Sequence, residues 1–265
     1  MRIDYYDIGV NLFCRQFPDP EKTIADAAKA NVACILTGTD QKENQKIHAF
    51  TKNHAVYGTA GIHPHNADSA KQEDFIEIEE IITGNKKIVA VGECGLDYDR
   101  MFSTKENQIR CLEKHIALAE KLDKPLFLHE RDAAGDFIRR FKKHPEICKR
   151  SVVHCFTGNK ETLDAYLSMG FSIGITGWIC DGRRAKDLRE AVRMIPLDRI
   201  LVETDAPYLT PKNVAGLDRV NTPQNIVYVV KELAKYRNVS EETLMEHAKK
   251  NTERFFHIGG ECREA

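Results

Sequence analysis

Residues 88–97 read IVAVGECGLD: a short β-branched apolar run that stops abruptly on a carboxylate, Glu93. The run is too short for a buried helix and shows no apolar/polar alternation, so it fits a strand of a parallel sheet covered on both faces. The same design recurs along the chain at 5–12 (YYDIGVNL), 32–37 (VACILT), 55–62 (AVYGTAGI), 125–129 (PLFLH), 151–156 (SVVHCF), 171–176 (FSIGIT) and 200–204 (ILVET). That makes eight runs, with starts 20 to 37 residues apart, the length of one strand-helix unit. Amphipathic patterns lie between them. The clearest is 104–123, where Ile109, Leu112, Ile116 and Ala119 recur at helical spacing and Ser103 with Glu106 reads as a capping box. Eight alternations favour a closed (β/α)₈ barrel, the TIM barrel, over a doubly wound sheet. No GxGxxG or GxxxxGK[ST] turn speaks for a nucleotide-binding sheet.

The bulk properties agree with an α/β fold of this size. The chain has 265 residues, 42% hydrophobic and 30% charged, with a formal net charge of -1. One barrel needs about 250 residues, so a single domain spanning 1–265 is expected. Near-zero net charge gives no long-range field toward nucleic acid or membrane; such a substrate has to be held locally. Neither a secretory leader nor a membrane-length apolar run is visible in the sequence. The eight cysteines, at 14, 34, 94, 111, 148, 155, 180 and 262, form no CxxC pair, which fits a reducing cytoplasm.

Polar residues gather where the runs end: Asn11, His63 and His65, Glu93, His129, His154, and Glu203 with Asp205. In a barrel all these ends meet at one mouth, where active sites sit. Glu93, His129, His154 and Asp205 form a coherent ligand set for a divalent ion, and open positions around it mark a catalytic metal. Glu93 and Asp205 are the expected catalytic carboxylates. The role of Glu203 stays open. His48, His54, His115, His144, His247 and His257 lie in helical or polar stretches and read as surface or core residues.

The segments DIGVNL (7–12), GIHPH (61–65), VAVGECGLDYDR (89–100), PLFLHERDA (125–133), VVHCFTG (152–158), IGITGWICD (173–181) and LVETDAPYLTP (201–211) closely resemble the TatD family of metal-dependent deoxyribonucleases, above all its bacterial members. The resemblance runs from about residue 5 to 257. It implies the TIM barrel of the metal-dependent hydrolase superfamily. It also implies Mg²⁺-dependent 3′-to-5′ exonuclease action on DNA, preferentially single-stranded, and in some cases RNA, with a link to DNA repair and degradation. The family's ligands fall on Glu93, His129, His154 and Asp205, and its phosphate-contacting histidines on His63 and His65. Mn²⁺ or Zn²⁺ in place of Mg²⁺, and one ion or two, remain open.

Three departures stand out. Many members carry His-x-His at the end of strand 1, but here the segment is Asp7-Ile8-Gly9-Val10-Asn11. Val10 cannot bind metal and Asn11 is a weak oxygen ligand, so the first metal position is expected to fill only with substrate present. Glu130 follows His129 where relatives have a small residue or Cys. Asn221-Thr222-Pro223 replaces Asn-Glu-Pro, removing any substrate role of that Glu. Arg131 is a candidate phosphate binder by its fork geometry. Tyr98, Phe102, Trp178 and Tyr208 are candidate stacking faces or packing residues of the rim. A soluble monomer without an obligate protein partner, acting on nucleic acid, is expected. The alternatives are hydrolysis of another ester or amide bond, such as D-aminoacyl-tRNA deacylation, or a non-catalytic binding barrel.

Overall fold

In a computed structural model describing residues 2–259, the strands are β1 (Tyr5–Val10), β2 (Val32–Leu36), β3 (Tyr57–Ala60), β4 (Ile88–Asp97), β5 (Leu126–Arg131), β6 (Ser151–Val153), β7 (Ser172–Ile175) and β8 (Ile200–Val202). All pair in parallel, in sequence order, as a (β/α)₈ barrel. The ring closes thinly. β8 meets β1 through one bridge, Val10 to Ala206, and through the Asn11 N–H donating to the Ala206 carbonyl at 2.8 Å.

The runs form strands because both faces are covered. Ile8, Ile35, Val89, Phe127, Val152 and Leu201 fill the barrel interior, with Phe256 at the end of the last helix and Ile258 just beyond it packed against them. Val32, Ile88, Leu126, Ile173 and Ile200 face outward into the layer shared with the helices. Burying each such side chain stabilises the fold by about 1.5–3 kcal/mol. The helices begin on short polar caps, as Asp19, Asp40, Asn159 and Ser240 accept backbone N–H groups of the first turn. No helix among the described residues is long and apolar enough to cross a membrane.

Three details differ from the sequence reading. β4 does not stop at Gly92 but continues to Asp97, so Glu93 sits inside the strand. Gly92 (φ 133°) and Gly95 (φ 150°) allow this, since a Cβ at either would strike the β5 backbone, at 2.2 Å from the Phe127 carbonyl and 1.8 Å from that of His129. The helix expected over 104–123 runs from Lys105 to Leu122, and its cap is Thr104, not Ser103. Ser103 is buried instead; its hydroxyl donates to the His65 carbonyl and accepts from the Asp68 N–H. The seven cysteines from Cys14 to Cys180 are free thiols, and Cys262 lies outside the described residues.

Candidate active site

A cavity of about 710 Å³ opens at the mouth formed by the strand C-termini. Glu93 is its hub. The Glu93 Oε1 atom lies 2.9 Å from His154 Nε2, 3.1 Å from His129 Nδ1 and 3.2 Å from His63 Nε2. Ligand atoms of His63, Glu93 and His129 all fall within 4.8 Å of one another, close enough to share one ion.

Hydrogen bonding separates these histidines by role. His129 directs Nε2 to Asp97 Oδ2 (3.3 Å), so its proton belongs there and its Nδ1 lone pair faces Glu93. His154 directs Nδ1 to Glu203 Oε2 (3.3 Å), which leaves the Nε2 lone pair facing Glu93. His63 is different. Its Nδ1 accepts the backbone N–H of His65 at 3.1 Å, so the neutral ring carries its proton on Nε2. A nitrogen that donates cannot ligate, and His63 is therefore a donor despite its place in the cluster. Two imidazole lone pairs thus face the same carboxylate oxygen, although His154 stands outside the trio whose ligand atoms all lie within 4.8 Å of one another. That arrangement is repulsive unless a cation or shared protons lie among them, which is the chemistry of a metal site.

Charge balance says the same. Burial works to raise Glu93, but the His154 and His63 rings and hydrogen bonds from His129 and His154 hold it well below the carboxylate range. Burial works to lower His154, yet Glu93 and Glu203 hold it well above the usual value. His129 is raised too, its burial outweighed by Asp97 and Glu93. Without a cation, protons on these two rings compensate the buried carboxylates. His63, dominated by burial, is depressed to about 4 and stays neutral.

Asp97 is the residue the sequence reading did not single out. It is buried, its Oδ2 takes His65 Nε2 at 2.7 Å as well as His129, and its Oδ1 accepts the N–H groups of Asp99 and Arg100. Burial works to raise it, but hydrogen bonds from His129 and His65 hold it well below the usual range. The signal was its place: Glu93, Gly95 and Asp97 alternate onto one strand face.

Glu203, left open by the sequence, also gains a role. It is fully buried, turns His154 and accepts the Cys155 N–H at 2.6 Å. Its carboxylate fits because Gly9 and Gly174 are bare; a Cβ there would come within 2.4 and 2.7 Å of it. The strand-1 expectation needs correcting at this point. The β1–β2 register shifts between Asp7 and Val10, so Gly9 faces the interior while Val10 packs outward in the helix-facing core. Positions 9 and 11, not 10, address the mouth. Asn11 turns its amide to Asp205, donating from Nδ2 to Oδ1 at 3.0 Å.

Asp205 stands beside this group at φ 55°, a backbone state more open to Asp than to most residues. Burial, with Glu203 and Glu93 adding to it against His154 and Asn11, raises its carboxyl to about 7. Asp7, fully buried, accepts the Thr204 N–H (2.9 Å), the Thr204 hydroxyl and the Gly9 N–H (3.3 Å), tying β1 to β8 next to Asp205.

This geometry has known counterparts. Residues 6–257 match the profile of the family described as TatD related DNase. The chain belongs to the TatD-related DNase family. A Pectobacterium parmentieri protein named 3′-5′ ssDNA/RNA exonuclease TatD is 40% identical over 259 residues, 96% of this chain and 99% of that one. A Yersinia pseudotuberculosis protein of the same name is 40% identical with the same coverage. Among solved TatD-related structures, YJJV, a TatD homolog from Escherichia coli, superimposes with a TM-score of 0.88 at 26% identity, covering 98% of this chain and 100% of that one. A TatD family hydrolase from Entamoeba histolytica gives 0.83 at 25% identity, covering 97% and 99%.

The other TatD-motif positions sort cleanly. Arg131 donates to Thr157 Oγ1 at 3.1 Å, and its buried Nε has no hydrogen-bond acceptor among the described residues, the nearest carboxylate oxygen, Asp132 Oδ2, lying 4.0 Å away. Glu130 accepts the Ala133 N–H and the Tyr166 hydroxyl, both at 2.7 Å, a local fastening. Asn221 is buried and donates to the Thr204 carbonyl at 3.1 Å. Tyr98 is fastened to Asp136, whereas Phe102 and Tyr208 stay 66% and 50% exposed on the rim. His115 is a core histidine, as expected. Its Nδ1 donates to the Cys111 carbonyl at 2.8 Å and its Nε2 accepts the Ile62 N–H at 3.0 Å.

Proposed function

We propose that the chain is a divalent-metal-dependent phosphodiester hydrolase that degrades single-stranded DNA, and RNA, from the 3′ end, with Mg²⁺ as its ion and Mn²⁺ or Zn²⁺ as substitutes. One observation carries the reading: His129 Nδ1 and His154 Nε2 both face the Oε1 atom of Glu93, at 3.1 and 2.9 Å. These three residues and Asp205 would hold the ion. A divalent cation at this point supplies Lewis acidity to a phosphoryl oxygen and makes water more acidic.

The chain's own residues do the rest. Asp205, fixed through Oδ1 by Asn11, has no protein donor on Oδ2 among the described residues, and Oδ2 takes the proton of the attacking water. His63 offers Nε2–H to a non-bridging oxygen where charge accumulates. His65, its Nε2 held by Asp97, reaches phosphate through Nδ1. Arg131, whose Nε makes no hydrogen bond among the described residues, would offer it to phosphate. Glu203 and Asp97 orient His154 and His129. We propose one barrel domain acting as a monomer in the cytoplasm, in DNA degradation and repair; this setting rests on the family resemblance alone.

The test is a digestion series on 3′- and 5′-labelled single- and double-stranded oligonucleotides with Mg²⁺, Mn²⁺, Zn²⁺ or EDTA. Metal-dependent release of nucleotides from the 3′ end is expected. Deacylation of D-aminoacyl-tRNA with no nucleotide release would overturn the reading.

A further inference from the structure

The walls of the cavity are not electrically alike. Three arginines line it, Arg100, Arg131 and Arg184, all from the arc that follows β4, β5 and β7, where Asp97, Asp99 and Glu130 also line it. Each arginine lies against an aspartate, Asp99 at 3.7 Å, Asp132 at 4.0 Å and Asp181 at 2.7 Å, so that arc is close to neutral rather than negative. Arg131 and Arg184 both lie over Trp178, at 5.5 and 4.1 Å from its ring. The opposite arc, after β8, β1 and β2, contributes Asp205, Tyr208, Leu209, Asn11, Cys14, Thr39 and Glu43, with no lysine or arginine among the described residues that line it. Lys46, one turn beyond Glu43, lies 5.7 Å from the Phe13 ring centroid.

Glu43 has no assigned task. It is half-buried in the first turn of the helix Gln41–Asn53, and its N–H is capped by Asp40 at 2.9 Å. Its side chain reaches back to the Thr39 hydroxyl through Oε2. Its Oε1 has no protein donor among the described residues, though Glu43 lines the cavity.

A nucleic-acid strand is asymmetric in the same way at its end. Beyond the scissile phosphate, one side continues with a phosphate at every nucleotide, and the other ends in a nucleoside hydroxyl. The arginine wall suits the first. The carboxylate wall suits only the second, because Glu43, with no arginine or lysine among the described residues that line its arc, opposes any further anion. We propose that Glu43, steadied by Thr39, accepts a hydrogen bond from the free 3′-hydroxyl of the terminal nucleotide, and that the wall around it rejects a 3′-phosphate. The proposal rests on the 3′-exonuclease reading and gives it a structural cause.

The test uses 5′-labelled single-stranded oligonucleotides of one sequence ending in 3′-hydroxyl, 3′-deoxy or 3′-phosphate, with release of the first nucleotide as readout. Wild-type kcat/KM should fall modestly for the 3′-deoxy end and on the order of 100-fold for the 3′-phosphate, since a like charge placed directly opposite costs several kcal/mol. Glu43→Gln should narrow the hydroxyl-to-phosphate ratio to about tenfold or less. Arg184→Ala should lower both substrates together and leave the ratio alone. Equal wild-type kcat/KM on hydroxyl and phosphate ends overturns the inference while the exonuclease reading stands. No release from any oligonucleotide with any metal overturns the exonuclease reading itself. A Glu43→Gln protein that loses both activities equally, or does not fold, shows Glu43 to be structural, and the wild-type ratio then judges the wall alone.

Discussion

The two halves of the barrel mouth are built from different materials. On the β3–β6 side, histidines and carboxylates alternate: Asp97 orients His129, Glu203 reaches in from the end of β8 to orient His154, and both rings face Glu93. On the β8–β1 side the sheet is nearly open, and polar pairs replace the ladder. Asp7 grips Thr204, Asn221 takes the Thr204 carbonyl, and Asn11 grips Asp205. The first half is an ionic network of the kind that suits a cation. The second is a seam whose task is to place one carboxylate. On the proposed function each half should fail in its own way when disturbed: the first by losing metal and activity, the second by losing stability and alignment.

The largest effect belongs to the ionic half. Glu93→Ala should lower metal-dependent nuclease activity by about 10²–10³-fold or more, as loss of a group stabilising transition-state charge does, measured as kcat/KM on single-stranded DNA. Unchanged activity would dissolve the distinction between the halves.

Next comes the footing of that half. His115 must be neutral, because its Nε2 accepts the Ile62 N–H, and burial lowers its pKa to about 4. The unfolded chain binds a proton there below about 6.5 and the folded chain does not until about 4. Stability therefore falls as pH drops through this window, by up to about 3 kcal/mol. His129 and His154, with raised values, act in the opposite sense, so the measurement is a difference. Urea denaturation of wild type and His115→Gln at pH 7 and pH 5 should show a steeper acid loss in wild type by about 2 kcal/mol. Parallel pH profiles would remove His115 from the account.

Glu203→Gln tests orientation without touching the cation. A carboxylate behind a ligating histidine is worth about 10–100-fold in metal affinity, which Mn²⁺ titration reads. The smallest effect is expected in the seam. Asp7, raised to about 8 by burial, should tolerate Asn, which keeps one acceptor for the Thr204 N–H, at a cost of about 1 kcal/mol. Asp7→Ala leaves buried donors unpaired, at about 1–3 kcal/mol each. Melting curves compare the two, and equal losses would show that hydrogen bonding at the seam is not what matters.

How much of this was legible in the sequence follows the same division. The strands were readable because burial on both faces leaves an uninterrupted apolar run. Glu93, His129 and His154 were readable because each stands where such a run meets polarity. Asp97 was hidden by Gly92 and Gly95, which interrupt the run without ending the strand. The Asp7–Thr204 contact spans 197 residues and leaves no local pattern. The strand-1 register was misread because alternation cannot foresee a bulge, and Val10 was weighed where Gly9 faces inward. The tasks of Glu203 and His63 needed hydrogen-bond partners that only the fold brings together.

The central claim is that Glu93, His129 and His154 aim their acceptors at one cation whose place protons take in its absence. Isothermal titration of Mn²⁺ into the wild-type protein and Glu93→Ala, in buffers of different ionisation enthalpy, tests it most directly. The account predicts about one to two protons released per ion bound by the wild type, with affinity falling as pH falls. It also predicts affinity at least about 100-fold weaker in Glu93→Ala. Binding without proton release, or with equal affinity in the variant, would contradict it.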